Sequence, residues 1–221
     1  MDRPVGRTSS CEASVGDERR AQATLQKDRT RARILEAAQR VFASKGYHRA
    51  LMDDVAREAG LSKGALYFHF PSKEDLFLSL VEDAADQLAQ RVLQAIEGAR
   101  GGEAKVRAAL RAAIEAFSEN EALTRLVLVE WVGLGPDFQS KRFALQSALA
   151  DLIREQLDRA MAEGDIPPQD TELASFAWIG AIQELVVRWL HVRQPAQLTD
   201  LVPDLSTLLL RSVGFPPEGS R

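Results

Sequence analysis

Ser62, Lys63, Tyr67 and His69 place a hydroxyl, an ammonium, a phenol and an imidazole within eight residues. Donors of these kinds fix a protein on phosphate oxygens. Between them, Gly64 and Ala65 are small enough for a helix backbone to come close to a groove floor. The Ala65 methyl suits a thymine C5-methyl, and Lys63 can reach guanine O6 or N7. The chemistry available here is polynucleotide recognition.

Such a set works only if it is held rigidly. The stretch 51–77, LMDDVAREAGLSKGALYFHFPSKEDLF, reads as a short helix, a tight turn, a second short helix and the capped start of a third. Val55, Ala56 and Ala59 put small and apolar groups on one side of the first. Gly60 follows as a C′ residue, because glycine enters the left-handed region without steric cost. Leu61 plugs the turn and Ser62 caps the second helix, 63–69, through its hydroxyl. Leu66, Phe68 and Phe70 are expected to fix that helix to its neighbours. Two short helices joined in this way form a helix-turn-helix, whose second helix enters the major groove. After Pro71, Ser72-Lys73-Glu74-Asp75 resembles a capping box. The free N–H groups at that helix start, with Lys73 beside them, are expected to take a phosphate.

The stretch 30–77 closely resembles the N-terminal DNA-binding domain of the TetR family of bacterial transcriptional regulators. The resemblance covers 48 of 221 residues. Its most specific parts are Ile34-Leu35-x-Ala37-Ala38, Phe42-x-x-x-Gly46-Tyr47, Val55-Ala56-x-x-Ala59-Gly60 and Gly64-x-Leu66-Tyr67-x-His69-Phe70-x-x-Lys73. One departure stands out. Where the family usually opens the second helix with Thr or Ser, this chain has Ala50 and Leu51. Asp53 is the expected substitute cap, and His48 or Arg49 the substitute phosphate contact.

The formal net charge of −4 argues at first against a nucleic-acid partner, but its distribution does not. Residues 1–71 hold 13 Lys+Arg against 9 Asp+Glu, and the remainder 15 against 23. A head of +4 in front of a body of −8 directs the head toward DNA through the summed field. The lone cysteine, Cys11, has no internal partner for a disulfide. No secretory h-region opens the chain, and the longest buried-looking run, 174–182, is too short for a bilayer. A cytoplasmic protein with no membrane partner is the expectation.

Residues 1–23 carry no apolar period and read as a disordered N-terminal arm, in which Arg19, Arg20 and Lys27 just beyond could follow the DNA backbone. Residues 24–71 form the helix-turn-helix domain. Its first helix, 25–44, places Ile34, Leu35, Ala38, Val41 and Phe42 on one face, and Lys45-Gly46 stops it. Arg29 and Arg33 are candidate phosphate contacts. Residues 72–214 form the body, and 215–221 a flexible tail. Six helices are expected there, over 73–99, 103–118, 121–132, 137–163, 171–192 and 198–213. No stretch alternates with period two, so the fold class is all-α: a three-helix head followed by a six-helix bundle.

The family resemblance implies that such a body binds a small molecule and forms the homodimer. The helix 171–192 is apolar most of the way round, as a helix buried on all sides is. Ala181, Leu185, Trp189 and Leu205 are the expected centre of a dimer interface. For a small-molecule site of apolar walls and a few polar groups, the candidates are Phe117, Leu126, Glu130, Trp131, Phe138, Phe143, Phe176, Ile179 and Gln183. Glu184 is a further polar residue in an apolar segment. The run 126–134 and the long helix after it are loosely similar to the fatty-acyl-CoA-responsive members of the family. An apolar drug or aromatic effector suits the same residues.

Enzyme readings find little support. His48, His69 and His191 lie far apart, and Glu184 and His191 lack the Glu-x-x-His spacing of di-iron bundles. No phosphate loop, nucleophile elbow or metal-ligand cluster is visible. The expectation is a homodimeric repressor that leaves a palindromic operator when an apolar effector binds. It needs no metal and no cofactor. The competing class is a helical ligand-binding or catalytic bundle carrying an incidental helix-turn-helix.

Overall fold

The computed structural model describes residues 9–216, and within them all side chains except those of 9–21, 132, 133 and 137. The described residues form helices and no strand: α1 Ser9–Arg49, α2 Met52–Glu58, α3 Lys63–His69, α4 Lys73–Glu97, α5 Gly102–Glu119, α6 Glu121–Leu128, α7 Pro136–Ala162, α8 Thr171–Val192 and α9 Val202–Ser212. Two 3-10 turns, Glu130–Gly133 and Leu198–Leu201, precede α7 and α9.

α1 differs from expectation at its start. Its helix begins at Ser9, inside the segment expected to lack order. Glu, Arg, Gln and Ala dominate residues 17–23, and these are strong helix formers. They continue a helix already anchored by packing, so no new nucleus is needed. Residues 1–8 and 217–221, the remainder of the expected arm and most of the expected tail, lie outside the described residues. At the other end the helix breaks at Gly46, φ 74° and ψ 160°, and resumes for one turn.

The helix starts follow local chemistry. The Ser62 hydroxyl accepts from the Ala65 N–H at 3.2 Å, and the Ser72 hydroxyl from the Asp75 N–H at 3.0 Å. α2 has no hydroxyl cap, as Ala50-Leu51 required, but the substitute is Asp54 rather than Asp53. The Asp54 carboxylate accepts the Leu51 N–H at 3.3 Å and pairs with Lys45 at 2.7 Å. The Lys45 hydrogen bond, with help from Leu51 N–H and Arg57, holds the Asp54 pKa below the ordinary carboxylate value. Position N3 can reach back to the cap N–H, whereas Asp53 sits one residue too early.

Two apolar cores result. The first gathers Ile34, Phe42, Tyr47, Val55, Leu66, Phe70 and Phe77 with Leu126, Trp131 and Phe138. It crosses from head to body, so residue 71 is a change of composition and not a seam in the packing. The second holds α5, α7, α8 and α9 together around Ile114, Leu157, Trp178, Val186, Trp189, Leu205 and Leu209. The sixth helix ends at Leu128, four residues earlier than expected. Gly133, Gly135 and Pro136 lie ahead, and the chain tightens into the 3-10 turn that drives Trp131 inward.

Among the described residues, α8 is long and apolar enough to cross a membrane by length and composition, which the count over 174–182 did not anticipate. Its outward side holds Glu172, Leu173, Phe176, Ala177, Gly180, Glu184 and Arg188, and its inner face is Trp178, Val186, Trp189 and Leu190.

Candidate functional site

The first site is the outer face of α3. Ser62, Lys63, Gly64, Tyr67 and Phe68 are exposed, Ala65 and His69 half-buried, and Leu66 and Phe70 buried. The buried pair seats the helix on the head. Phe68 does not join them, because it falls on the opposite face and is 77% exposed. A Cβ added to Gly64 would meet no protein atom within 4 Å, so the protein's own packing does not require glycine there. The small surface is available to whatever α3 approaches.

Lys63 is paired in the free protein. Its ammonium lies 2.9 Å from Asp53 and 5.9 Å from the Tyr67 ring centroid, and the Asp53 carboxylate raises its pKa. Both partners are more than half exposed, so water screens the pair and a phosphate or base edge can compete for the lysine. Arg29 is exposed on α1. Arg33 donates from Nε to the Ala59 carbonyl at 3.1 Å, and Arg49 to the Lys45 carbonyl at 2.9 Å. These bonds occupy Nε and orient each guanidinium.

Lys73 is a correction. Its ammonium donates to the carbonyls of Tyr47 at 2.8 Å, Ala50 at 3.2 Å and His48 at 3.3 Å, 4.4 Å from the Tyr47 ring centroid. All three protons are used on the C-terminal end of α1, where a cation satisfies carbonyls that have no helical partner. Lys73 locks the head together instead of waiting for a phosphate.

The second site is a two-chambered cavity in the body. An inner chamber of about 120 Å³ is walled by α4, α5, α7 and α8 through Leu88, Val92, Ile96, Leu110, Ile153, Trp178 and Ile179. A wider outer chamber of about 430 Å³ is lined by Ala85, Arg91, Glu119, Asn120, Trp131 and Arg142 among others. Leu88, Phe117, Leu149 and Gln183 line both. At this waist the Gln146 amide donates to Gln183 at 2.9 Å. The inner walls are almost wholly apolar, and polar groups collect in the outer chamber.

Of the expected pocket residues, Phe117, Trp131, Ile179 and Gln183 line these chambers. Leu126 and Phe138 do not, since the first core buries them. Phe143 and Phe176 are exposed, at 58% and 45%. Glu130 faces the head, accepting the Tyr47 N–H at 3.4 Å, and Glu184 faces solvent. α4 and Arg142 were missed. Leu88, Val92 and Ile96 recur at four-residue spacing, a pattern shared with ordinary core, and nothing in the sequence distinguishes Arg142 from a surface arginine.

The expected interface residues divide likewise. Trp189 and Leu205 are 5% and 3% exposed, inside the protomer's second core, with Trp189 Nε1 donating to the Pro195 carbonyl. Ala181 and Leu185 are half-buried against that core. The unpartnered surface of α8 and α9 is instead Leu173, Phe176, Ala177, Gly180 and Leu208. The reason is phase: α8 is apolar on several faces, and composition does not show which of them the protomer uses.

Head and cavity are joined by aromatic rings. Trp131, in the outer wall, lies 6.2 Å from Phe77 between centroids, and Phe77 lies 4.9 Å from Tyr47. Phe138 touches both Tyr47 at 5.6 Å and Phe77 at 5.8 Å. The cavity wall and the end of α1 are thus joined by a continuous set of packed rings.

Residues 34–80 match the profile of bacterial regulatory proteins of the tetR family, and residues 99–213 that of the tetracyclin repressor-like C-terminal domain. The HTH-type transcriptional activator FasR of Mycolicibacterium smegmatis is 31% identical over 61% of this chain, a match that spans 62% of its own length. The fatty acid metabolism regulator protein of Bacillus subtilis is 23% identical over 81% of this chain and 93% of its own. Among solved structures, PfmR of Thermus thermophilus is 29% identical, with a TM-score of 0.65 over 80% of this chain and 97% of its own. FadR of Bacillus subtilis, solved with stearoyl-CoA, shares the fold at 23% identity, with a TM-score of 0.76 over 84% of this chain and 98% of its own. The family is one of regulators and not of enzymes, and its two profiles cover the head and most of the body. The chain belongs to the TetR family of bacterial transcriptional regulators.

Proposed function

We propose that this regulator is a cytoplasmic homodimeric repressor that binds a palindromic operator and is released from it by a largely apolar small molecule. The observation that carries the reading is Trp131, which lines the cavity and packs on Phe77 of the core shared with the head. Each α3 would occupy one major-groove half-site, the two centred about one helical turn, roughly 34 Å, apart or slightly more. The contacts proposed are Arg29, Arg33, Arg49, Ser62, Lys63, Gly64, Ala65, Tyr67 and His69. The dimer would close through the exposed apolar stripe of α8 and α9, from Leu173 to Gly180 with Leu208. A two-fold DNA site favours a two-fold protein.

The mechanism is a shift between two dimer shapes. Effector in the chambers moves α4 and the turn Glu130–Gly133, and thereby changes the separation of the two α3 helices. Effective release requires a coupling of about 1–3 kcal/mol between the two binding events. Of the relatives named above, one is called a fatty acid metabolism regulator and one was solved with stearoyl-CoA, and the two chambers together suit an apolar chain.

The test is a selection of random duplexes on the purified chain at two salt concentrations. A two-fold symmetric site with steep salt dependence supports the reading. Recovery of no preferred sequence, or of a single half-site, overturns it. The recovered site then reports whether palmitoyl-CoA releases the protein, the sign expected of a repressor.

A further inference from the structure

The outer chamber carries a positive charge that no described carboxylate neutralises. Its charged lining residues are Arg91, Glu119 and Arg142. Arg91 and Glu119 satisfy each other through two hydrogen bonds, 2.6 and 3.0 Å. The Arg91 bond holds the Glu119 pKa below the ordinary carboxylate value, so that pair contributes no net charge. Arg142 has no carboxylate beside it among the described residues, and its Nε is buried without a hydrogen-bond partner. Its guanidinium lies near the Phe143 ring, 5.4 Å to the centroid.

A second orphan sits in the same wall. Trp178 donates its indole N–H to Ser212 and Trp189 to the Pro195 carbonyl. The Nε1 of Trp131 is buried and has no acceptor. Buried donors are almost always satisfied in native proteins, and an orphan costs about 1–3 kcal/mol. Both residues line the same chamber, and the Arg142 cation, with no described carboxylate beside it, suits an acceptor-rich anion.

We infer that Arg142, which lines the wider chamber with Trp131, receives the anionic head of a linear amphiphile whose chain end passes the Gln146–Gln183 waist into the apolar inner chamber. The inference rests on the effector reading above and gives it a charge and a direction. The chain runs inward toward Trp178 and Ile179, and the head stays in the wider chamber next to the ring that touches Phe77. A ligand filling this chamber touches Trp131, the ring that packs on Phe77. The same chemistry comes from a free long-chain carboxylate or from the phosphates of its coenzyme A thioester.

The test is binding to the full chain without DNA, followed by isothermal titration calorimetry. The probes share one chain: palmitate, hexadecanol, hexadecyltrimethylammonium and palmitoyl-CoA. At least one anionic probe should bind roughly tenfold or more tightly than hexadecanol, and the cationic probe worst. Arg142→Gln should abolish that advantage while leaving hexadecanol unchanged, and Arg142→Lys should restore part of it. Loss for palmitate identifies the carboxylate as the head, and loss for palmitoyl-CoA alone identifies its phosphates. Ala109→Phe, in the inner chamber, should shift the preferred carboxylate to a shorter chain. Hexadecanol equal to both anions, or an anionic advantage that survives Arg142→Gln, overturns the assignment. Operator release by the tightest probe, read separately on the wild-type chain, tests the regulatory reading, so either can fail alone.

Discussion

Glu130 of the body accepts the backbone N–H of Tyr47 in the head, at 3.4 Å. The contact spans 83 residues of sequence and sits one residue from Trp131, which lines the outer chamber. The Glu130-Trp131 pair thus touches the ligand site with one side chain and the end of α1 with the other. Replacing Glu130 by Ala should cost about 0.5–1.5 kcal/mol of stability. It should also reduce the fold-change in operator affinity on adding effector. Unaltered coupling in a titration of DNA with and without effector would remove Glu130 from the path.

Phe77 is the ring through which the wall and the head meet, fully buried and within 6.2 Å of Phe42, Tyr47, Trp131 and Phe138 between centroids. Phe77→Ala should lose about 3–5 kcal/mol in urea unfolding. Phe77→Leu, nearer in volume, should stay folded and still show weakened release.

Lys63 reaches DNA only by leaving Asp53, so the two substitutions should oppose each other. Lys63→Ala is expected to cost about 1–3 kcal/mol and relax preference at one base position. Asp53→Asn removes both the competitor and a like charge facing phosphate, and should tighten binding. An unchanged operator profile for Lys63→Ala would falsify its readout role. Lys73→Ala should act differently, lowering the melting temperature through three abandoned carbonyls without changing base preference.

Burial, and to a lesser degree the Glu74 charge, push the Tyr47 phenol up to about 12. Its folded pKa lies above the unfolded value of about 10, so the neutral phenol stabilises the fold fully below pH 10. That contribution fades as pH rises from 10 toward 12. Urea midpoints across that window should fall for the wild type and fall less for Tyr47→Phe.

Leu173 and Phe176 are exposed large apolar residues on the proposed dimer stripe, at 68% and 45%. Arginine at either should give folded monomers by sedimentation and abolish two-fold operator binding. Arginine at Trp189 or Leu205, both inside the protomer core, should instead unfold the chain. Dimers that persist with both Leu173→Arg and Phe176→Arg would place the interface elsewhere.

Residue order alone determined the head. Gly60, Ser62, Pro71 and Ser72 set the limits of α2, α3 and α4 through backbone preference and local caps, which act over three or four residues and so are written in the sequence. The same holds for the all-α class and the family. Tertiary structure decided the partners. A 3.6-residue period shows that Phe138 and Phe176 lie on apolar faces, but not that one face meets Tyr47 and the other meets solvent. Lys73 and Glu130 read as a phosphate donor and a ligand contact until folding set them against α1, 23 to 83 residues away. Arg142 carried no signal at all, because its lack of a carboxylate partner is a property of the space around it, and that space is enclosed by α4, α5, α6 and α7 only when the chain is folded.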